Sequence, residues 1–307
     1  MPLSDGVPDA GADPRVDPVS RYDAGEDASS TSEAVEMLLE EVVAEPEPQP
    51  LKYTQSLRGR CAIVTGGATG IGRAIALEFA RHGMHVAFNY FPSEGLNELA
   101  DADSTAREIA QLEVRVHMEQ CDVRDPEAVR EFVRRSQDTL GGLHVLVNNA
   151  GTTRDGALWR LSDADWNAVI DTNLTGAFHM IREIAPHFRR QGDGKIVNVA
   201  SIHAIRGEFG LANYSASKAG LLALTRSAAV ELGPSNVNVN AVAPGYIRTT
   251  RLTDTVPAEA LDRAREKSAL GRLGDPQDVA NVVLFLCCEY ARHITGAVIA
   301  VDGGYML

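Results

Sequence analysis

Cys61-Ala62-Ile63-Val64-Thr65-Gly66-Gly67-Ala68-Thr69-Gly70-Ile71-Gly72 is a short apolar run that enters a glycine-rich turn, and a helical pattern from Arg73 to Arg81 follows it. Four apolar residues bounded by a turn read as a buried strand. Glycines permit positive φ and close backbone approach, while a helix start presents unpaired N–H groups that suit a pyrophosphate. The spacing is G-x-x-x-G-x-G, with Gly66, Gly70 and Gly72 as its glycines, rather than G-x-G-x-x-G. By itself such a turn reads equally well as plain structure.

Outward from this stretch, apolar strands recur near residues 61–65, 84–90, 114–119, 143–147, 195–200, 236–241 and 297–301, separated by amphipathic helical stretches. The alternation predicts an α/β fold: a Rossmann-like, doubly wound parallel sheet with right-handed crossovers and both faces covered. In such sheets ligands bind beyond the carboxyl ends of the strands. Gly66, Asn148, Ser201 and Pro244-Gly245 all follow strand-like runs, so the fold gathers them at one edge. Asn173 lies inside a long helical stretch from Asp165 to Arg190. The long segment from Gly245 to Gly274 is expected to form a helical lid over a substrate.

Tyr214 is followed four residues later by Lys218, and Ser201 lies thirteen residues upstream. Helical spacing sets Tyr214 and Lys218 one turn apart on one face. A phenol with an ordinary pKa of about 10 is a poor acid or base near neutrality, so a neighbouring cation is expected to lower it. Ser201 adds a hydroxyl that can orient a carbonyl. A Y-x-x-x-K pair alone reads as well as a surface tyrosine beside a solvated lysine. The chain has only 4 lysines against 25 arginines, however, which makes a lysine at this spacing the costlier coincidence.

With these neighbours, residues 57–307 resemble the short-chain dehydrogenase/reductase family. The shared elements run in family order: T-G-x-x-x-G-x-G at Thr65 to Gly72, C-D-V at Cys121 to Val123, N-N-A-G at Asn148 to Gly151, then Asn173, Ser201, Tyr214 with Lys218, and Pro244-Gly245. The stretches Asn148 to Leu158, Gly271 to Gly274 and Ile294 to Gly304 look most like beta-ketoacyl-ACP reductases and acetoacetyl-CoA reductases. The resemblance implies hydride transfer between a nicotinamide and a ketone or secondary alcohol, with a 3-oxoacyl thioester as substrate and fatty acid biosynthesis as setting. It assigns proton donation to Tyr214 and carbonyl orientation to Ser201. Lys218 is to lower the Tyr214 pKa and bind the nicotinamide ribose, and Asn173 is to hold a water linking Lys218 to solvent. It places the cofactor against Gly66, Thr69, Gly70, Ile71, Gly72, Asn89, Tyr90, Asp122, Val123, Asn149, Ala150, Gly151, Tyr214, Lys218, Pro244, Gly245 and Ile247, with Asp122 beside the adenine. It also implies a homotetramer, pairing the helices Asp165 to Arg190 and Tyr214 to Leu232 across one axis and Val298 to Leu307 across another.

Cofactor choice turns on the second strand. NAD-selective sites place an acid about 20 residues beyond the glycine turn. Here Val86-Ala87-Phe88-Asn89-Tyr90 ends without one, which favours NADP(H). Thr69 stands where many NADP-selective relatives have arginine, with Arg73 and Ser93 as substitutes, so NAD(H) stays open. A carrier-protein substrate calls for a basic rim. Arg189, Arg190, Arg248 and Arg251 are candidates for it, whereas Ser235 stands where carrier-dependent relatives often have a basic residue. A sugar or hydroxysteroid alcohol dehydrogenase is the alternative within enzymes. A cofactor-sensing or scaffold protein on the same fold is the alternative outside them.

The net charge of −13 is concentrated at the start: residues 1–50 hold 13 of 42 acids, 2 of 29 basic residues and 7 of 14 prolines. Residues 1–56 are therefore expected to form a mostly disordered acidic tail. A short helix over 32–44 is the exception, with Val35, Leu38, Leu39, Val42 and Val43 at helical spacing after a capping box at Ser30 and Glu33. No basic stripe points to nucleic acid, no apolar run approaches the roughly 20 residues that span a bilayer, and the start lacks a secretory signal pattern; a cytoplasmic setting is expected. Cys61, Cys121, Cys287 and Cys288 lack C-x-x-C spacing and read as reduced thiols, and the histidines show no metal-ligand spacing. His203 reads equally as a loop histidine or a substrate contact.

Overall fold

The computed structural model describes residues 52–92, 98–248 and 257–307. The expected tail and its helix over 32–44, together with Ser93 and Arg251, lie outside these residues. Seven parallel strands form one sheet: β1 (Cys61–Val64), β2 (His85–Tyr90), β3 (Val116–Gln120), β4 (Val145–Asn148), β5 (Gly194–Val199), β6 (Val237–Pro244) and β7 (Val298–Val301). The order is β3-β2-β1-β4-β5-β6-β7, so the winding reverses at β1, which pairs with both β2 and β4. That reversal opens the crevice in which doubly wound sheets bind ligands.

Among the described residues eight helices accompany the sheet: α1 (Gly70–Arg81), α2 (Glu98–Ala110), α3 (Pro126–Leu140), α4 (Asp163–Ile170), α5 (Gly176–Gln191), α6 (Ala212–Leu232), α7 (Ala258–Lys267) and α8 (Pro276–Cys287). Strand alternation divides the core between the two faces. Ala62 and Val64 pack with Ile75, Phe79 and Leu284, while Cys61 and Ile63 pack with Phe132, Ile184 and Phe188. Period-two alternation with both faces apolar is what a doubly covered parallel strand requires. Local signals set several helix ends. Asp125 caps α3, accepting from the Glu127 N–H at 2.9 Å ahead of Pro126, and the helix stops at Gly141 with φ of 78°; α5 stops at Gly192 with φ of 68°.

The helical stretch expected over 165–190 is interrupted. A single π turn, Asp171–Thr175, joins α4 to α5 and carries Asn173. The Asn173 amide is bonded sideways to Thr152 and Ser217. Widening the helix by one residue turns that side chain inward, as π turns at functional sites often do.

Candidate active site

β1 delivers the chain into the glycine turn with Gly66 at φ of 65° and Gly70 at φ of 56°. Both values lie in the left-handed region that glycine occupies without a steric cost. At Gly72 a Cβ would run into the Gly66 carbonyl and the Asn149 side chain, so α1 packs against the turn only because that Cβ is missing. Thr69 precedes α1 in extended backbone without capping it, and Arg73 donates to the Thr69 carbonyl at 3.1 Å. The N–H groups of Gly70, Ile71 and Gly72 ahead of it are the unpaired donors of a helix start, the arrangement that receives a phosphate. This cradle fits a dinucleotide pyrophosphate.

The ends of β1 and β4 are stitched together. Thr65 Oγ1 accepts from the N–H groups of Asn149 (2.9 Å) and Ala150 (3.0 Å), and Asn149 Nδ2 donates to the carbonyls of Thr65 (2.9 Å) and Gly66 (3.1 Å). Gly151 then passes so close to Asn173 and Lys218 that a Cβ would stand 3.3 Å from Asn173 Oδ1 and 3.5 Å from Lys218 Nζ. Asn173 is 1% exposed. Its Nδ2 donates to Thr152 O (3.0 Å) and Ser217 Oγ (3.0 Å), and its Oδ1 accepts from Thr152 N–H (2.8 Å). One Oδ1 lone pair is left for a water.

Ser201 ends the run of β5, and Tyr214 and Lys218 sit one turn apart on α6, all three buried. A hydrogen bond joins the Ser201 and Tyr214 hydroxyls and lowers the phenol, but burial outweighs it and, with Asp155 nearby, pushes Tyr214 up to about 12. The same burial lowers Lys218 to about 8. Lys218 Nζ donates to the Val199 carbonyl at 2.8 Å and lies 5.8 Å from the centre of the Tyr214 ring. Burial, rather than the Lys218 charge, sets the direction of the phenol's pKa here. Both groups share one poorly solvated pocket, and desolvation disfavours the charged form of each.

These residues line a cavity of about 400 Å³ together with Ile71, Asn149, Gly151, Pro244, Gly245 and Ile247. A Cβ on Gly245 would meet the Asp302 backbone at 2.9 Å, so this turn packs directly on the C-terminal segment. Other expected cofactor residues lie at the ends of β2 and β3. The Asn89 amide is spent on protein, accepting from Gly66 N–H (3.1 Å) and donating to Cys121 O (2.8 Å); it reaches a ligand only through the turn that it braces. Tyr90 is half-buried at the end of β2. Asp122 holds Arg124 through both oxygens, and the Arg124 guanidinium keeps its carboxyl below the usual range despite burial that opposes it. Val123 wedges against Gly176 at the start of α5.

Sequence reasoning missed the far wall. Tyr246, Tyr305 and, from α7, Arg263 and Lys267 line the cavity. The i,i+4 spacing of the two basic residues was available as a signal, but nothing in it marked which face of α7 meets the sheet. Of the basic residues expected at the rim, Arg251 lies outside the described residues and the others do not line the cavity. Arg189 and Arg190 end α5, whose next strand runs back toward the site from the opposite end of the sheet, and Arg248 is paired with Asp275 at 2.9 Å. Among the described residues no group of three or more His, Cys, Asp or Glu is placed to hold a metal ion, and no helix is long and apolar enough to cross a membrane.

A family model described as enoyl-(acyl carrier protein) reductase matches residues 66–306. Proteins named 3-oxoacyl-[acyl-carrier-protein] reductase FabG are similar over nearly their whole length. The one from Thermotoga maritima is 40% identical over 251 residues, covering 82% of this chain and 99% of its own. Those from Staphylococcus aureus and Aquifex aeolicus are each 41% identical, over 83% and 81% of this chain and 99% and 98% of theirs. A crystal structure described as a candidate short-chain alcohol dehydrogenase from Sinorhizobium meliloti matches with a TM-score of 0.76 at 36% identity, covering 82% of this chain and 98% of that one.

Proposed function

The chain belongs to the short-chain dehydrogenase/reductase family and is an oxidoreductase acting on CH–OH groups, and from that premise we propose that it is an NADP(H)-dependent ketoreductase whose substrate is a 3-oxoacyl thioester. One cavity is lined by Ile71 at the start of α1, by Asn149 and Gly151 beyond β4 and by the buried Ser201, Tyr214 and Lys218, and that gathering is the observation on which the proposal stands. The thioester rests on the 3-oxoacyl reductases at 40–41% identity.

The turn from Gly66 to Gly72 and the start of α1 hold the pyrophosphate, Gly151, Pro244, Gly245 and Ile247 border the nicotinamide half, and Asp122 and Val123 border the adenine half. When bound, the nicotinamide supplies or accepts the hydride. Ser201 donates to the ketone oxygen and orients the carbonyl. Tyr214, kept protonated at neutral pH by its raised pKa, gives its proton to that oxygen as charge develops there. Lys218 has three donors, of which one is engaged by Val199; the others bind the ribose, and its charge steadies the phenolate once the proton has gone. Asn173 keeps the Gly151-Thr152 loop against Lys218 and holds the water that returns the proton. Preference for NADP(H) follows from β2 ending in Asn89 and Tyr90 with no acid to repel a 2′-phosphate. Arg73, ion-paired with Glu108, is the cation within reach to exchange partners with it.

The test is to incubate the purified chain with NADPH or NADH and acetoacetyl-CoA or crotonyl-CoA, and separately with NADP+ or NAD+ and a panel of sugars and hydroxysteroids, following nicotinamide absorbance. Fast turnover of acetoacetyl-CoA with NADPH is expected. Turnover of crotonyl-CoA alone would reassign the chain to enoyl reduction, and cofactor binding without turnover of any substrate would leave a sensor.

A further inference from the structure

His203 follows Ser201 by two residues in the single 3-10 turn Ile202–Ala204, and its N–H donates to Ser201 Oγ at 3.1 Å. Its ring is a wall of the cavity, 9% exposed, standing edge-on to Tyr214 with centroids 6.5 Å apart and to Tyr246 at 5.8 Å. Burial lowers its pKa, against Glu208 and Asp155, which raise it, and with Arg206, which lowers it further. The ring is therefore neutral near pH 7 and carries one N–H donor and one acceptor nitrogen.

Nδ1 is buried, and no group among the described residues bonds it. Among the described residues lining the cavity, it is the only buried side-chain nitrogen or oxygen in that state. Its neighbours do not supply a partner: Tyr246 is hydrogen-bonded to Tyr305, and Ser201 to Tyr214 and the His203 backbone. An unmatched buried polar atom costs its full desolvation penalty. Such a cost beside reacting groups is explained when a ligand provides the missing partner. The Cβ–Cγ torsion of histidine is broad and two-fold, so the ring exchanges Nδ1 with Cδ2 without moving the backbone.

We propose that the His203 imidazole donates a hydrogen bond to the second carbonyl of a 1,3-dicarbonyl substrate, so that it selects 3-oxoacyl thioesters over simple ketones. This rests on the ketoreductase reading above. Ser201 and Tyr214 hold the ketone oxygen, and the thioester oxygen, across one CH2, is the substrate's remaining strong acceptor. His203 presents its donor from the same turn as Ser201. No proton transfer is asked of it; it binds.

Two probes isolate the contact: the acetoacetyl thioester of N-acetylcysteamine, and the thioether in which a CH2 replaces the thioester carbonyl while the ketone is kept. The quantity read is the ratio of their kcat/KM values. In the wild type it should favour the thioester by about 10- to 100-fold, the worth of one buried hydrogen bond. His203→Phe, which keeps an aromatic ring and removes the donor, should bring the ratio close to one. His203→Asn, whose amide nitrogen stands about where Nδ1 does, should keep most of it. Fluorescence titration of NADPH on each variant reports that the cradle has folded. A ratio unchanged in His203→Phe, or lost equally in His203→Asn, overturns the assignment. Equal kcat/KM for both probes in the wild type also overturns it while leaving ketoreduction standing. A wild type that reduces neither probe removes both.

Discussion

Lys195 opens β5 and Lys218 leans over its far end, one 3% and the other 4% exposed. At the amino end the lysine is part of a closed network. Lys195 Nζ donates to Asn238 Oδ1 at 2.7 Å, and Asn238 in turn donates to the carbonyls of Arg292 (3.0 Å) and Ile294 (2.9 Å), tying β6 to the segment before β7. At the carboxyl end Lys218 bonds a backbone carbonyl and faces a cavity, and burial draws it down from 10.5 to about 8. The sheet thus treats one residue type in two ways. Where the fold needs cohesion, the charge is given a partner of the protein's own; where a ligand is to bind, donors are left for the ligand, and stability is sacrificed.

The sharpest way to break this contrast lies at the carboxyl end. Tyr214→Phe keeps the ring packed and removes the proton, so kcat should fall by about 10²–10⁴-fold while NADPH affinity stays near that of the wild type. Steady-state rates and a fluorescence titration check it, and a wild-type kcat would dismiss Tyr214 as the acid.

The two lysines should respond oppositely to the same substitution. Lys218→Met should weaken cofactor binding and turnover yet raise the Tm of the unliganded protein. Holding that amine about 2.5 pH units below its ordinary value costs the fold on the order of 3 kcal/mol at neutral pH, less the lost bond to Val199. Lys195→Met leaves Asn238 Oδ1 without its donor, and should lower stability by about 1–3 kcal/mol with kcat unchanged. Thermal melts beside rate assays read both, and changes of Tm in the same direction would erase the contrast.

A pH series sharpens it further. Between about pH 8 and 10.5 the unfolded chain holds a proton that the folded Lys218 has lost, so its contribution makes stability rise with pH across that window. Tyr214 acts the other way: between about 10 and 12 the folded phenol keeps a proton that the unfolded one loses, and stability falls. Urea midpoints of wild type and Lys218→Met should therefore converge as pH rises from 8 to 10. Parallel curves would mean that Lys218 titrates as it does in the unfolded chain.

The smallest effect expected is from removing residues 1–50. The first strand begins at Cys61, so Tm and kcat should stay within error of the full chain. A loss of either would place Val35 to Val43 among the contacts of the body. Light scattering on the shortened chain tests the tetramer that the family resemblance implies, which would cover exposed Phe178 on α5 and Val230 on α6; a monomeric mass at micromolar concentration would refute it.

Much of this was legible in the chain. All seven strands fall where apolar runs predict them, and Gly66 and Gly70 announce the turn because each answers a local backbone demand. Helical spacing was enough to set Lys218 beside Tyr214. The π turn at Asn173 was not legible, because its cause is a set of bonds to Thr152 and Ser217, far away in sequence. Nor was the fate of Asn89, which Cys121 and Gly66 engage from two other segments. The basic residues at the cavity are Arg263 and Lys267 rather than Arg189 and Arg190, a choice made by the direction in which α5 and α7 run.

By itself, then, the sequence determined the fold class, the strand order along the chain and the residue types at the site. Strand periodicity, glycine turns and one-turn helical spacing act over a few residues and are written there directly. Only the tertiary structure decided which polar atoms find partners. Desolvation and hydrogen bonding depend on what other segments bring to the same place: Tyr246, backed by Tyr305, stands edge-on to His203, and burial among distant elements sets Tyr214 and Lys218 against their ordinary titration.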